Sequence, residues 1–421
     1  LNSNANCSLC YIIEMMGQKY LSPDSSQQQI QQFINSSCML VPTTIKGECQ
    51  LYVQQYGSWM SNYILITKTS TNMCQAVGAC PDNRWQILLT TRPNNTATGP
   101  ALLTTIYYDI NNSNLYVGGG FDLQKVKGVS QLLKSSDKGY TWQVLFNGSS
   151  SAQNSNMHGF SKLNDGSFMS IGDETIIRST DGGKTFFKDP RKFEKLAMSA
   201  LYVNGTAFIG QTGGTYYRSI DNLQSFEKIS YGPSGIYNLR SMAHSQGAIF
   251  FGVGVDVGAY NHRYESRIYK SIDNGKTFKV VFTGFGAIRD TYVVFHIKSL
   301  GNNTILAASQ TTIIRSTDNG ETFQPIFDVS KLDKSITVVR FFTQAQNGTV
   351  YVSLDASFSS PDPDMPDHNK HGQIWQSVDR GLTWQFHSRL NAKRVFELTF
   401  DETDRTFYAA TGEHGELMTF K

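Results

Sequence analysis

The chain has 421 residues, with 37 Lys and Arg against 34 Asp and Glu for a formal net charge of +3. That excess is too small for a nucleic-acid surface, and no basic run, P-loop or dinucleotide fingerprint accompanies it. No run of about eighteen or more apolar residues is present to span a membrane.

The first eighty residues hold every cysteine: Cys7, Cys10, Cys38, Cys49, Cys74 and Cys80. An even-numbered cluster confined to a short segment reads as a disulfide framework, and so as an oxidising compartment. Zinc competes, because Cys7 and Cys10 are three apart. Against it, Cys74 and Cys80 are six apart and no His precedes His158, so no metal or cofactor is expected. The residues alone leave fifteen pairings open. Between the cysteines, apolar residues recur at helical spacing: Ile12, Ile13, Met16 and Tyr20, then Ile30, Phe33 and Ile34, then Leu51, Val53 and Tyr56, then Trp59, Tyr63 and Ile64. Ser22-Pro23-Asp24 and Pro42-Thr43-Thr44 supply breaks and starts. Read without further context, these residues form a closed helical core.

The order Cys7-x-x-Cys10, Cys38 followed by Leu40-Val41-Pro42, Cys49, Val53-Gln-Gln-Tyr56 and Cys74-Gln-Ala-Val-Gly78-Ala-Cys80 resembles the saposin B-type domain over the whole segment. The resemblance implies nested bridges, Cys7–Cys80, Cys10–Cys74 and Cys38–Cys49. It also implies four or five helices that open like a clasp to meet lipid, a membrane or a second copy of the chain. The lipid-facing residues would be Ile12, Ile13, Met16, Ile30, Phe33, Ile34, Val53, Trp59 and Ile64. Charge is balanced here, with Lys19, Lys46 and Lys68 against Glu14, Asp24 and Glu48, so such contact would rest on apolar burial.

From residue 81 onward the pattern changes to strands. A phrase of strand, tight turn and strand ending in small residues recurs from Ile106 to Gly120, Gly159 to Gly172, Ala200 to Gly210, Met242 to Gly252, Phe295 to Ser309, Val339 to Ser353 and Glu397 to Gly412. Turns such as Asn164-Asp165-Gly166, Asn204-Gly205 and Asn347-Gly348 suit hairpins. A second motif, Ser-x-Asp-x-Gly-x-Thr-aromatic, runs from Ser135 to Trp142, Ser179 to Phe186, Ser271 to Phe278, Ser316 to Phe323 and Ser377 to Trp384. A worn copy from Ser219 to Phe226 has Leu223 for Gly and Ser225 for Thr. Repetition at a period of roughly forty to sixty residues indicates stacked or radially arrayed units. The motif resembles the Asp-box, or BNR repeat, of the sialidase-like propeller superfamily, where it is a structural hairpin between the third and fourth strands of a blade. Seven phrases with six boxes leave the last unit one strand short. The segment Trp85-Gln-Ile-Leu-Leu-Thr90 resembles Trp142-Gln-Val-Leu-Phe146 and is expected to complete it, closing the ring. Six blades is the alternative. The fold class is therefore multidomain, a small all-α disulfide-bonded domain (1–80) plus an all-β propeller (81–421).

Sequons at Asn35, Asn94, Asn111, Asn147, Asn204, Asn302 and Asn347, with a handicapped one at Asn6 beside Cys7, favour a secreted or lysosomal glycoprotein. The opening at Leu1 rather than Met reads as a mature chain. On the propeller, Arg240, Arg289, Arg340, Arg394 and His158 fall near the starts of innermost strands, where cations could meet an anionic group. Their registers differ, however, and residues such as Asp290 offer pairing. The insertion from Asp355 to His371 carries Asp362, Asp364, Asp367 and His368, but misses the EF-hand spacing. Asp173-Glu174 and Glu413-His414-Gly-Glu416 are the candidate carboxylates for glycoside hydrolysis. The Arg-Ile-Pro phrase of sialidases is absent, since Arg92 is followed directly by Pro93, and a shared fold does not carry activity. The expected function is a non-catalytic lipid- or membrane-associated glycoprotein, its helical module engaging lipid or itself and its propeller binding a glycan or protein. The alternative is a hydrolase of lipid-linked glycans.

Overall fold

The computed structural model describes residues 3–77, 79–80, 85–91, 102–120, 130–148, 157–172, 175–232, 236–256, 264–286, 293–332, 336–356, 371–390, 392, 394–412 and 416–420. The N-terminal part is helical. Helix α1 spans Ser3–Tyr20, α2 Gln27–Ser36, α3 Lys46–Thr67 and α4 Met73–Ala76. A reciprocal capping box starts α2: the Ser26 hydroxyl accepts from Gln29 N and the Gln29 side chain accepts from Ser26 N. Lys68, in the left-handed region at φ 59°, ends α3. The two apolar sets at Leu51–Tyr56 and Trp59–Ile64 belong to one helix. Gly57, one of the two residues between them, allows α2 to approach, because a Cβ there would lie 3.2 Å from Ile34.

Disulfides join Cys7 to Cys80, Cys10 to Cys74 and Cys38 to Cys49. Beside Cys10–Cys74, the buried Glu14 carboxylate accepts from Asn72 N at 3.1 Å and Cys74 N at 2.9 Å, tying α1 to the start of α4. Burial raises its pKa against the opposing pull of those bonds. Such a cross-linked, small-core domain belongs to an oxidising environment.

The rest of the chain forms seven four-stranded antiparallel sheets, the blades of a propeller. Their innermost strands are Leu102–Asp109, Met157–Lys162, Ala197–Val203, Ile236–Ser245, Val294–Ser299, Ile336–Gln344 and Val395–Asp401. Six blades are built from consecutive strands. The seventh takes its fourth strand, Gln86–Thr90, from the start of the propeller, paired antiparallel with Glu416–Phe420. Trp85 anchors this closure against Phe420, and its indole N–H donates to Ser388 Oγ at 2.9 Å.

Each box joins the third and fourth strands of its blade. In the first, Ser135 Oγ donates to Asp137 Oδ1 (2.7 Å) and accepts from Gly139 N (2.7 Å), while Asp137 accepts from Thr141 N (2.8 Å) and Thr141 Oγ1 (2.5 Å). The Thr141 hydroxyl and N–H, with Ser135, hold the Asp137 carboxyl down at about 2. The worn copy keeps this wiring through Ser219, Asp221 and Ser225.

The helical domain is docked on blade 6. Arg389, nearly fully buried, donates through Nε to Gln75 O at 3.1 Å and through Nη2 to Ala76 O. Tyr63 packs on Trp375 with ring centroids 5.9 Å apart. Helical and blade residues share one apolar cluster that runs from Ile13 and Ile34 to Phe327, Trp375 and Trp384. No described helix is long and apolar enough to cross a membrane.

Candidate functional site in the axial channel

Every innermost strand pairs with its neighbour through a β-bulge, and the bulges fall at one structural level. The unpaired residues are Thr104, Gly159, Met198, Arg240, Phe295, Arg340 and Phe396, in blade order. A bulge re-aims its side chain, and all seven line one cavity of about 250 Å³ on the propeller axis. Gly159, at φ 67°, adopts the left-handed conformation of a glycine bulge. Arg240 and Arg340 therefore share a register, contrary to the sequence reading that staggered the arginines. Arg394 lies two residues before its bulge, at the start of the seventh innermost strand. Arg289 and Asp290 lie outside the described residues.

Three bulge residues form one wall. The Arg340 guanidinium lies between Phe295 (4.4 Å to the ring centroid) and Phe396 (5.4 Å), a cation–π arrangement across three blades. Its charge is met by Asp355, whose Oδ2 accepts from Nε at 2.8 Å and Nη2 at 2.5 Å. The other oxygen, Oδ1, accepts from Val395 N at 2.9 Å, linking blade 6 to blade 7.

The residue after the bulge straps adjacent blades. Ser241 Oγ accepts from Ile297 N (2.9 Å), His296 Nδ1 from Phe342 N (3.0 Å) and Glu397 Oε2 from Ile106 N (2.7 Å). In each case the donor is two residues beyond the next blade's bulge. The bond to Nδ1 assigns the His296 proton to Nε2, as a donor. Enclosure in the channel wall shifts these groups even though channel water reaches them. It pushes Glu397 up to about 7, and holds His158 down at about 4 with help from the Arg240 charge. His296 is held at about 3 by the same enclosure and by Lys298. At neutral pH the channel thus offers arginine, neutral imidazole and four phenylalanines, with Met198 and Met242. Among the described residues lining the cavity Glu397 is the single carboxylate, and it accepts from Ile106 N across the blade 7–blade 1 boundary. Sequence reading missed Glu397, His296, Phe295 and Phe396, because each bulge inserts a residue that breaks the alternation used to assign inward positions.

The other candidate residues lie elsewhere. Ile13, Ile30, Ile34 and Ile64 are buried in the helical core, with Ile12, Met16, Phe33, Val53 and Trp59 partly buried against it. Asn35, Asn111, Asn147, Asn204, Asn302 and Asn347 are exposed. Asn6 lies on α1 with its side chain outside the description, and Asn94, Asp173, Glu174, Asp362, Asp364, Asp367, His368, Glu413 and His414 are not among the described residues. Among the described residues no three His, Cys, Asp or Glu side chains converge as a metal site.

No protein-family model and no curated protein matches this chain. Solved structures do. YCF48 bound to a D1 peptide is 15% identical, with 80% of this chain and 95% of that one covered and a TM-score of 0.50. The extracellular domain of the putative one-component system BT4673 from B. thetaiotaomicron is 11% identical, with 76% and 38% covered and a TM-score of 0.54. The WD40 propeller domain of Doa1 is 11% identical, with 80% and 97% covered and a TM-score of 0.50. At these identities the likeness shows the propeller fold alone.

Proposed function

We propose that this chain is a non-catalytic binding glycoprotein of a secreted or lysosomal compartment. In this reading a saposin-like head (1–80) is carried on an Asp-box propeller (81–421) whose axial channel receives part of a protein partner. The observation that carries it is the ring of seven bulges, which turns one side chain per blade onto a common axis. A cavity of about 250 Å³ falls just under the range of about 300–1,000 Å³ that holds a whole small ligand. It suits one inserted side chain or chain end rather than a saccharide. A structural neighbour, YCF48, is a propeller bound to a peptide, which supports a peptide over a glycan as occupant.

The test is selection of displayed random peptides on the full chain. Recovered peptides are expected to bind Met242→Trp, which fills the channel, at least about tenfold more weakly than wild type, and to bind the rim variant Ile272→Ala unchanged. Equal binding to both variants, or no recovered peptide, counts against the channel.

A second reading, lipid association or pairing of two heads, is supported by Met39, Leu40 and Leu51. These flank the Cys38–Cys49 bridge and are 73%, 60% and 61% exposed.

A further inference from the structure

We infer that Asn347 carries an N-linked glycan whose first N-acetylglucosamine seats in a cleft between blades 6 and 7, on Tyr351 and Phe400. The inference rests on the glycoprotein reading and asks why this cleft exists.

In the first five blades the box serine pairs with a second-strand residue, and the residue after that partner lies beneath the next blade's box. A Cβ built on Gly183 would come 2.8 Å from Tyr116 Oη, on Gly275 2.5 Å from Phe208, on Gly320 2.3 Å from Phe250, and on Gly381 2.7 Å from Leu306. In blade 2 the covered residue is Met169, and Leu223 of the worn box packs in its cluster. None of these five is more than 1% exposed. The equivalent residue of blade 6 is Tyr351, paired one beyond Val350↔Ser377. Its neighbour, blade 7, carries Phe420, paired with Phe407, where the other blades carry the box serine. Tyr351 is only partly buried.

Between blades 6 and 7 lies a cleft of about 560 Å³, lined by Asn347, Tyr351, Phe400, Glu402 and Arg405 among others. That volume is within the range of small-ligand sites, which combine aromatic walls with a few polar groups. Tyr351 and Phe400 both line it and stand 6.2 Å apart, centroid to centroid, apolar aromatic surface of the kind that packs against the C–H groups of a sugar. Glu402 and Arg405 supply an acceptor and donors for its hydroxyl and acetamido groups. The two turns that frame the cleft are tied, Gln346 N donating to Glu402 Oε1 at 2.5 Å.

Asn347 sits at the cleft edge in the sequon Asn347-Gly348-Thr349. Its Oδ1 accepts from Thr349 N at 3.0 Å, which fixes the amide plane with Nδ2 on the other branch. The attachment takes a lipid-pyrophosphate-linked oligosaccharide as donor. The Nδ2–C1 bond forms, the C1–O bond to phosphate breaks, and the amide proton leaves with the lipid pyrophosphate.

The experiment uses the full chain secreted from a eukaryotic cell. Occupancy is read by glycopeptide mass spectrometry, and the native protein is then treated with peptide N-glycosidase, with release followed site by site. Asn347 is expected to be occupied and to release its glycan about tenfold more slowly than Asn204 and Asn302, which lie on exposed turns. Phe400→Ala or Glu402→Gln is expected to abolish that lag. Sugar at other sequons with none at Asn347, or release at equal rates, overturns the inference alone. A chain with no sugar at any sequon overturns the glycoprotein reading as well.

Discussion

At the residue scale, the same polar atoms do different work according to what surrounds them. The box aspartates are solvated, and hydroxyl and N–H donors hold Asp137 strongly acidic. Glu397 has a single backbone N–H and a protein-lined wall, so it titrates at about 7 against an ordinary 4.5. A carboxyl raised in the folded state binds its proton more tightly there. Its contribution is full below about 4.5 and is lost as pH rises through about 7. His158 and His296 act in the opposite sense: held neutral down to about 4 and about 3, they contribute above about 6.5 and lose that contribution as pH falls. Glu397→Gln keeps an oxygen to accept from Ile106 N and removes the charge. The variant is expected to match wild type near pH 4.5 and to exceed it by about 1–2 kcal/mol at pH 8, less than the full shift would give because channel water screens the group. Thermal midpoints at the two pH values check this, and an equal difference at both would remove Glu397 as the source. Leu223 shows a compromise of another kind. At φ 67° it occupies a glycine conformation, yet its side chain is 1% exposed and packs among Met169, Ile171 and Ile209. Buried apolar contact thus offsets a local backbone cost of about 1–3 kcal/mol.

At the element scale, the innermost strands and helix α4 carry the arrangement. Seven strands bulge at one level, which makes a channel wall of residues that simple alternation would divide between two faces. Helix α4 is one turn long and takes its support from outside itself. Glu14 holds its start, and Arg389 accepts the burden of its end by donating to the carbonyls of Gln75 and Ala76. Removing Arg389 leaves these carbonyls without a charged donor, at a cost of about 1–3 kcal/mol. Arg389→Ala is expected to speed amide exchange at residues 73–77 about tenfold or more, while exchange in the fourth blade stays as it was. Unchanged exchange at 73–77 would show that the apolar contacts alone seat the helix.

At the scale of the whole molecule, ring closure and head docking are separate events on neighbouring blades. Closure uses Gln86–Thr90 in blade 7, and docking uses Arg389, Gln373 and Trp375 in blade 6. The short chain between them leaves the head beside the seam, where its buried isoleucines face the interior and blade 6 covers Tyr63. Lipid contact without opening would fall to Met39, Leu40 and Leu51. In sedimentation with phosphatidylcholine vesicles, wild type is then expected to bind and the double variant Leu40→Asp, Leu51→Asp to stay in solution. Binding retained by that variant but enhanced by Arg389→Ala would point instead to an opened, undocked head. Failure of wild type to sediment would remove the lipid reading.

What the sequence determined by itself was what repeats along the chain. Hairpin turns, boxes and apolar alternation are local, so seven phrases, the borrowed strand from Trp85 to Thr90 and a helical, cysteine-bearing start were all legible from residue types and spacing. The place of Tyr351 beside blade 7 was not legible, because Tyr351 belongs to the preceding blade and its contacts with Phe400 and Phe407 cross between the two. The channel was hidden for a related reason. A bulge is a mismatch between two strands, and neither strand records it alone. Only the tertiary structure set Arg240 level with Arg340, placed Phe295 and Phe396 on either side of the Arg340 guanidinium, and drew Glu397 to Ile106 across the seam. These contacts join residues of different blades, whose meeting depends on the curvature of the closed ring rather than on any stretch of chain.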